Sequence, residues 1–516
     1  MRVAIIDCYT DEPAGLGVPP YLGTYPRYLA GALELAGHSY IYLTIDDLRA
    51  LFQYSGAIPE KKLEMQTNIR IYNLTRRPEE VRDALEHANE LIVIAGIQVP
   101  GKYLSALPGT LHELKKYLPS LKARKVLTGP AANFGTRLEG GKSAEEISPG
   151  LFDEVTDNYL GINNPYPLIR EMAVAGAGIV KQVPWTPMIE LETGKGCIRK
   201  LGCSFCTEPL KNRLQFRDAD DVIAEAKALY TLGQRHFRIG KQTDFYSYQG
   251  VNVEKIEYLL KTLRNAAPEL KTLVIDNTDP LQIIGPRGGP ITELIVKYCT
   301  EGNTAAMGAE SFDPEVVRAN NLKVGPELIY KAVEILNKHG RERGNNGMPK
   351  FLPGINLVYG LINESRETNS HNLKWLRKML DNDLWVRRIN IRQAAVFPGT
   401  QLAMEAGTKF LRKNRKLYYR WRDDIRQQVD FPMLDRIAPI GHVLRDVYFE
   451  IYDGNHTFGR HFGTYPLIIG LNKRVPLGGP YEVRVTKHML RSVTAEPILE
   501  RPLDATDQQT RNLLKS

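Results

Sequence analysis

Residues 192–210 read ETGKGCIRKLGCSFCTEPL, and the rest of the chain is best read outward from them. The cysteines Cys197, Cys203 and Cys206 have the spacing CxxxxxCxxC and directly follow a strand-like run, Met188 to Leu191. Thiolates this close on one loop converge on one centre, and soft sulfur ligands select iron–sulfur clusters or zinc. A structural zinc site wants four ligands. No fourth Cys or His lies nearby, the closest other cysteine being Cys299. A [4Fe–4S] cluster on three protein thiolates keeps one iron open to a small molecule, so the ligand count favours it over zinc.

From Met188 onward, strand-like and helix-like segments alternate. The expected strands are Met188 to Leu191, Phe237 to Ile239, Thr272 to Ile275, Ala305 to Gly308, Ile355 to Tyr359 and Arg388 to Ile391. Between them Asp221 to Tyr230, Val253 to Ala266, Glu327 to His339 and Asn369 to Leu380 have helical spacing. Such units suit a partial (β/α)6 barrel over 183–433, with chemistry at the carboxyl ends of the strands. Its last part, 406–430, is a basic and aromatic extension containing KFLRKNRKLYYRWR.

Upstream, over 1–165, Val3 to Ile6, Tyr40 to Leu43, Leu91 to Ala95 and Val126 to Thr128 read as buried strands. Helical spacing in Tyr25 to Ala36, Pro78 to Ala88 and Ser105 to Tyr117 implies crossovers in a Rossmann-like parallel sheet with a crevice at the strand ends. NNPYP at 163–167 and AVAGAGIV at 173–180 read as a connection. Short strands with turn residues over 434–500 suit a small closed β-barrel, and 501–516 form a tail. The predicted fold class is α/β with an added all-β barrel.

Composition narrows the function. Hydrophobic content of 43% and charged content of 25% are ordinary for a globular chain. No apolar run approaches the roughly 20 residues that span a bilayer, and the opening MRVAIIDCYT runs straight into a strand, so no membrane association and a cytoplasmic location are expected. Five cysteines, three of them within ten positions, are the opposite of a disulfide framework. A net charge of +9 permits nucleic-acid binding without establishing it, since solvated faces of many enzymes carry a similar surplus.

The cysteine loop resembles the radical S-adenosylmethionine (SAM) superfamily, in which a three-cysteine motif follows the first barrel strand and SAM chelates the open iron; Phe205 before the last cysteine fits the same pattern. Five residues separate the first two cysteines where three are common. Further segments match in order. RIGKQTDF at 238–245 stands where the family has a Gly-Gly-Glu turn for the SAM amine and carboxylate. Gly240 keeps the close backbone approach, Lys241 and Gln242 replace Gly and Glu, and Gln242 would offer an amide acceptor. AAMGAESFDPEVVRANNL at 305–322 resembles the segment that sets Glu310 and Ser311 near the ribose. INLVYGLINES supplies Gly360 and Glu364 in a turn near the adenine, and FPGT at 397–400 also has family counterparts. The resemblance implies a [4Fe–4S] cluster, SAM, an external electron donor, and a deoxyadenosyl radical that abstracts hydrogen from the substrate. A structural zinc knuckle and a cluster that never meets SAM are the alternatives.

The flanks bear on the substrate. The segment from Gly459 to Ile498 resembles the TRAM barrel that ends many radical SAM RNA methylthiotransferases. Arg460, Lys473, Arg474, Arg484, Lys487 and Arg491 could neutralise phosphates there, with His461 and Tyr465 for stacking. Methylthiotransferases carry a second cluster on three cysteines in the amino-terminal domain, and only Cys8 is present here. PPYLGTYPRYLAGALELAGH, followed by a strand and Asp46, resembles cobalamin-binding modules, as does LTGPAAN at 127–133. The whole chain most resembles an archaeal radical SAM family ending in a helix-hairpin-helix, of which PLDATDQQTRNLLKS could be the first helix. Three readings result: a radical SAM enzyme acting on RNA, with tRNA the expected substrate; a cobalamin-dependent radical SAM methyltransferase or rearrangement enzyme for a small metabolite; and an RNA-binding protein with a structural cluster.

Overall fold

The computed structural model describes residues 1–9, 20–56, 71–96, 107–137, 140–199 and 201–499. The tail 501–516, residues 10–19 of the opening stretch and the start of the helix expected from Ser105 lie outside these. The chain forms two compact units: Met1–Glu192 with Arg217–Arg235, and Thr193–Phe216 with His236–Ser516.

The first unit is built on a parallel five-stranded sheet in the order Ser39–Thr44, Arg2–Asp7, Glu90–Ile94, Arg124–Thr128, Glu154–Val155. The central strands are apolar runs without alternation, as strands covered on both faces must be, and each lies within about two residues of its expected position. The strand order reverses between Arg2–Asp7 and Glu90–Ile94. Two features of this unit carry no local sequence signal. Tyr21–Leu22 pairs in parallel with Met188–Glu192. Helix Ala219–Thr231 joins this unit through Glu225, whose fully buried carboxylate bridges Arg27 and Arg217. Arg27 also donates to the Leu22 and Gly23 carbonyls at 2.7 and 2.8 Å.

In the second unit, His236–Gly240 and Thr272–Ile275 pair in parallel, and Asn277–Thr278, Asn303–Glu310, Phe351–Tyr359 and Arg388–Gln393 form a second parallel sheet in chain order. Helices Val253–Ala266, Pro326–Gly340 and Thr368–Asp381 follow the expected spacing. Helices Pro280–Ile284 and Gly288–Tyr298 are not among the expected elements, because GPRGGP at 285–290 carries the signature of a loop. Gly288 is required there: a Cβ would lie 1.9 Å from the Ile283 carbonyl oxygen.

The carboxyl-terminal part closes into a five-stranded barrel in the order Val443–Asp453, His456–His461, Leu467–Leu471, Ser492–Pro497, Gly478–His488. Alternation sends Tyr481, Val483 and Val485 into a core with Phe449, Leu467 and Val493, while Arg484 and Lys487 face solvent. Among the described residues no helix is long and apolar enough to cross a membrane.

Helix Thr24–Leu35 of the first unit packs backbone to backbone against Tyr166–Ala175 and the turn beyond it. A Cβ on Gly31 would sit 1.9 Å from the Met172 carbonyl oxygen, and one on Gly176 would sit 1.8 Å from that of Arg27. Gly31→Ala must push the helices apart, so an unfolding midpoint in urea lowered by the equivalent of about 1–3 kcal/mol is expected, typical of overpacking.

Candidate active site

The cysteine loop belongs wholly to the second unit, and neighbouring elements hold it by hydrogen bonds. Gly196 N donates to Glu208 Oε1 at 2.8 Å, and Gly196 O accepts from the Thr243 hydroxyl at 3.0 Å. Asn321 Nδ2 donates to the carbonyls of Leu201 and Gly202 at 3.0 and 2.9 Å. Asn320 does most. Its buried carboxamide accepts from the Ser204 hydroxyl at 2.6 Å and Ile362 N at 3.0 Å, and donates to the carbonyls of Val316 and Ile362, both at 2.8 Å. All the hydrogen-bonding capacity of an amide side chain is thereby used, and the cysteine loop is tied to the turn after Tyr359. Both asparagines lie within 305–322, and neither is among the expected site residues; two adjacent amides after a short helix were the signal that could have found them.

Cys197, Cys203 and Cys206 are half-buried free thiols. Burial first, then Glu310 and Cys206, pushes the Cys203 thiol up to about 12, against the opposing charges of Arg199 and Lys323. Burial also raises Cys206, to which Cys197 adds. The Cys203 and Cys206 thiols are therefore harder to ionise than a free cysteine, and a bound metal would displace their protons. Among the described residues no three Cys, His, Asp or Glu side chains converge tightly enough for a single metal ion. Three thiol donors on one loop fit a four-iron cluster, which takes each thiolate at a separate iron; Arg199 Nη1 donates to Cys203 Sγ at 3.5 Å and Glu208 N to Cys206 Sγ at 3.4 Å. Phe205 packs with Cys203 against an apolar group that includes Leu361, Leu402 and Leu411.

The strand-end residues surround this loop. Gly240 ends its strand, and Lys241 adopts a left-handed backbone with φ +64°, a conformation that favours the glycine standing there in the family. Gln242 is buried; its Oε1 accepts from the Thr193 hydroxyl at 2.7 Å and its Nε2 donates to the Ile239 carbonyl at 3.3 Å, which leaves one oxygen lone pair for a ligand. A shallow cleft lies beside Gln242, lined also by Gly194, Ile198, Phe216 and Asp244.

Glu310 sits at a bulge with φ +60°, which re-aims its side chain. Burial raises its carboxyl to about 7, with Lys323 and Arg392 opposing. Ser311 is buried and caps the following turn by accepting from Asp313 N at 3.1 Å. Lys323, which no sequence motif marks, pairs with Asp279 at 3.1 Å, and Asp279 N donates to Asp244 Oδ1 at 2.8 Å. Its charge reaches Glu310, Cys197 and Cys203.

Gly360 has φ +90°, and a Cβ there would meet Leu411 at 2.1 Å. Glu364 closes this turn: Oε2 accepts from Gly360 N at 2.6 Å and Oε1 from Asn414 Nδ2 at 2.8 Å.

Two residues expected at an RNA surface are not available for one. Arg460 is 1% exposed and forms a two-point ion pair with Glu450, and His461 is 2% exposed, accepting from Asn346 Nδ2. Burial and the charge of Arg387 hold His461 neutral, near 3. The period of a strand gives its two faces, but not which of them another element covers; here the His461 ring fills the space where a Cβ of Gly302 would be, at 2.4 Å. Lys473, Arg474, Arg484 and Lys487 are exposed.

Burial raises the Glu364 carboxyl from 4.5 to about 7. An acid whose folded value lies above its unfolded one contributes stability fully present below the unfolded value and lost as pH rises through the folded one. The parent's melting temperature should accordingly fall between about pH 5 and 8. Glu364→Gln, with Asn414 turning its amide to accept, should melt higher than the parent at about pH 8 and no higher at about pH 4.5, as paired thermal melts would read.

Residues 191–359 match the model of the radical SAM superfamily. An uncharacterized protein of Methanocaldococcus jannaschii is 39% identical over 536 residues, covering 96% of this chain and 93% of the relative. Another, from Archaeoglobus fulgidus, is 38% identical over 530 residues, covering 100% and 93%. Among solved structures, the radical SAM methyltransferase TsrM from Kitasatospora setae, bound to tryptophan and a SAM analog, is 13% identical over 78% of this chain and 75% of its own, with TM-score 0.48. The cobalamin-dependent SAM radical enzyme OxsB is 10% identical over 82% and 55%, with TM-score 0.46. The match over the cysteine loop and the strands after it, together with near full-length identity to two archaeal proteins, places the chain in the radical SAM superfamily, whose members use a [4Fe–4S] cluster and SAM.

Proposed function

We propose that Cys197, Cys203 and Cys206 hold the cluster, that Gly240, Lys241, Gln242, Glu310, Ser311, Gly360 and Glu364 line the SAM site, and that the enzyme modifies RNA, with tRNA as the substrate class. Once loaded and reduced by an external donor, the cluster supplies the electron that splits SAM into methionine and a deoxyadenosyl radical. The chain's own residues do the rest. Gln242 offers its second oxygen lone pair to the SAM ammonium, and Glu310, poised near neutrality, accepts from the ribose hydroxyls. The apolar packing around Phe205 keeps water from the reacting centre.

The observation that carries the RNA reading is the helical segment 409–425. Asn414 on its inner side binds Glu364 Oε1, and Tyr418 and Trp421 are buried. Its outer side exposes Arg412, Lys413, Arg415, Lys416 and Arg420 beside Tyr419, which is 55% exposed. A cationic face with an open aromatic ring suits a phosphate backbone and a stacked base, and it is anchored one hydrogen bond from the SAM site. The TRAM-like barrel adds Lys473, Arg474, Arg484 and Lys487.

The strand order of the first unit supports a second reading, a cobalamin-dependent enzyme for a small metabolite. Its reversal between Arg2–Asp7 and Glu90–Ile94 is the topological position where such sheets bind ligands. Gly129 does not contribute to that support, because the Ala95 carbonyl lies 3.2 Å from its Cβ position. A corrin absorption spectrum of the purified protein decides for this reading.

Comparative mass spectrometry of tRNA nucleosides from cells with and without the gene should reveal a missing modification; an unchanged profile refutes the RNA reading. Reversing Arg415, Lys416 and Arg420 to Glu should weaken tRNA binding and flatten its log K against log salt slope by roughly 1 for each phosphate no longer neutralised. Cys203→Ala should abolish both the cluster absorbance and SAM cleavage after anaerobic reconstitution.

A further inference from the structure

Arg388, Asn390 and Arg392 alternate along Arg388–Gln393 and so share one face of the strand. Asn390 Nδ2 donates to Asn356 Oδ1 on the neighbouring strand at 2.9 Å and to the Tyr465 hydroxyl at 2.8 Å. The Arg388 guanidinium lies over the Tyr465 ring, 5.1 Å from its centroid, and Arg387 Nη2 donates to the Tyr465 carbonyl. Arg426 shares the helical turn Arg426–Asp430 with Asp430, whose Oδ1 accepts from Ile389 N at 3.2 Å beside Arg388, and Arg491, from the turn before strand Ser492–Pro497, acts electrostatically on Arg387, Arg426 and Asp430.

These charges act on one another. Burial first, and Arg491 next, pushes Arg387 and Arg426 down to about 10; burial and then Arg388 does the same to Arg491. Asp430 is the carboxylate common to all four arginines, itself raised by burial. Other charged groups nearby are already engaged: Arg422 pairs with Asp423 at 3.0 Å, and Arg392 faces Glu310. The leading electrostatic influences on the four guanidinium groups thus include one another and the carboxylate of Asp430. The Nε atoms of Arg387 and Arg426, and Asp430 Oδ2, are buried and have no hydrogen-bond partner. An excess of buried like charge opposes folding, and planar guanidinium forks match the oxygens of a phosphate.

We propose that Arg387 and Arg388 beside Tyr465, with Arg426 and Arg491 near Asp430, form a binding site for a phosphate group of the substrate. The inference rests on the radical-enzyme reading above and names the group that the site grips, whether it belongs to a polynucleotide backbone or to a small phosphorylated compound. The strand face carries it toward the chemistry: Arg392, about 13 Å along the strand from Arg388 at the usual rise, is the arginine whose charge reaches Glu310. A phosphate held at one end of this face leaves the rest of the substrate to extend toward the SAM residues.

The test uses the anaerobically reconstituted full chain and pyrophosphate as probe. Pyrophosphate should raise the parent's melting temperature. Arg491→Gln and Arg426→Gln should each melt higher than the parent without pyrophosphate, because a crowded charge is gone, and should bind pyrophosphate at least tenfold more weakly. Asp430→Asn should do the reverse, melting lower and binding more tightly. Displacement of tRNA by pyrophosphate assigns the site to backbone phosphate, and simultaneous binding of both assigns it to a small phosphorylated compound. The proposal is overturned by an unchanged parent melt, by variants that bind pyrophosphate as the parent does, or by Gln variants that melt lower, which marks the arginines as structural. Production of 5′-deoxyadenosine by the parent reports separately on the radical reading.

Discussion

The carboxamide of Asn320 is the interaction on which the site depends. It has no exposed surface, and its two acceptor and two donor positions are all taken by the cysteine loop, its own helix and the turn after Tyr359. A loop with three cysteines and few apolar side chains has little hydrophobic burial to fix its shape, and Ile198 and Leu201 on it are exposed. Polar bonds must do that work. Inside a protein they are strong when complete and costly when one partner is lost. Asn320 thus makes three strand-end segments behave as one body, so that the cysteine thiols and the Gly360–Glu364 turn keep a common register.

Much of this was written in the sequence, for a definite reason. Parallel strands buried on both faces are uninterrupted apolar runs, and helices covering them carry a stripe; both periods survive in 2–7 and 253–266 without knowledge of the fold. The cysteine spacing was equally plain, because covalent chemistry fixes residue identity more tightly than packing does. What stayed hidden was long-range. Neither Asn320 nor Lys323 advertises its long-range partners, which come from segments about 40 to 120 residues away. Arg460 and His461 looked like surface cations because alternation cannot say that another element covers the outside of a barrel strand.

The electrostatics of the second unit run against its own stability in several places. Glu310 and Glu364 are carboxyls held where ionisation is unfavourable, and the arginines around Asp430 crowd a single carboxylate. Local rules of good design are broken most often where function demands it. By contrast two groups of buried charge in the first unit are matched, with Glu225 between Arg27 and Arg217 and Arg49 between Asp46 and Glu113.

The small barrel has one parallel seam, where Leu467–Leu471 meets Ser492–Pro497. The hairpin-like strand Gly478–His488 lies between these two in the chain, so the seam cannot zip until the last strand has left the ribosome. Arg491 immediately precedes that strand. A nascent chain therefore holds an unclosed barrel and an incomplete ring of guanidinium groups, and it gains both at the same moment.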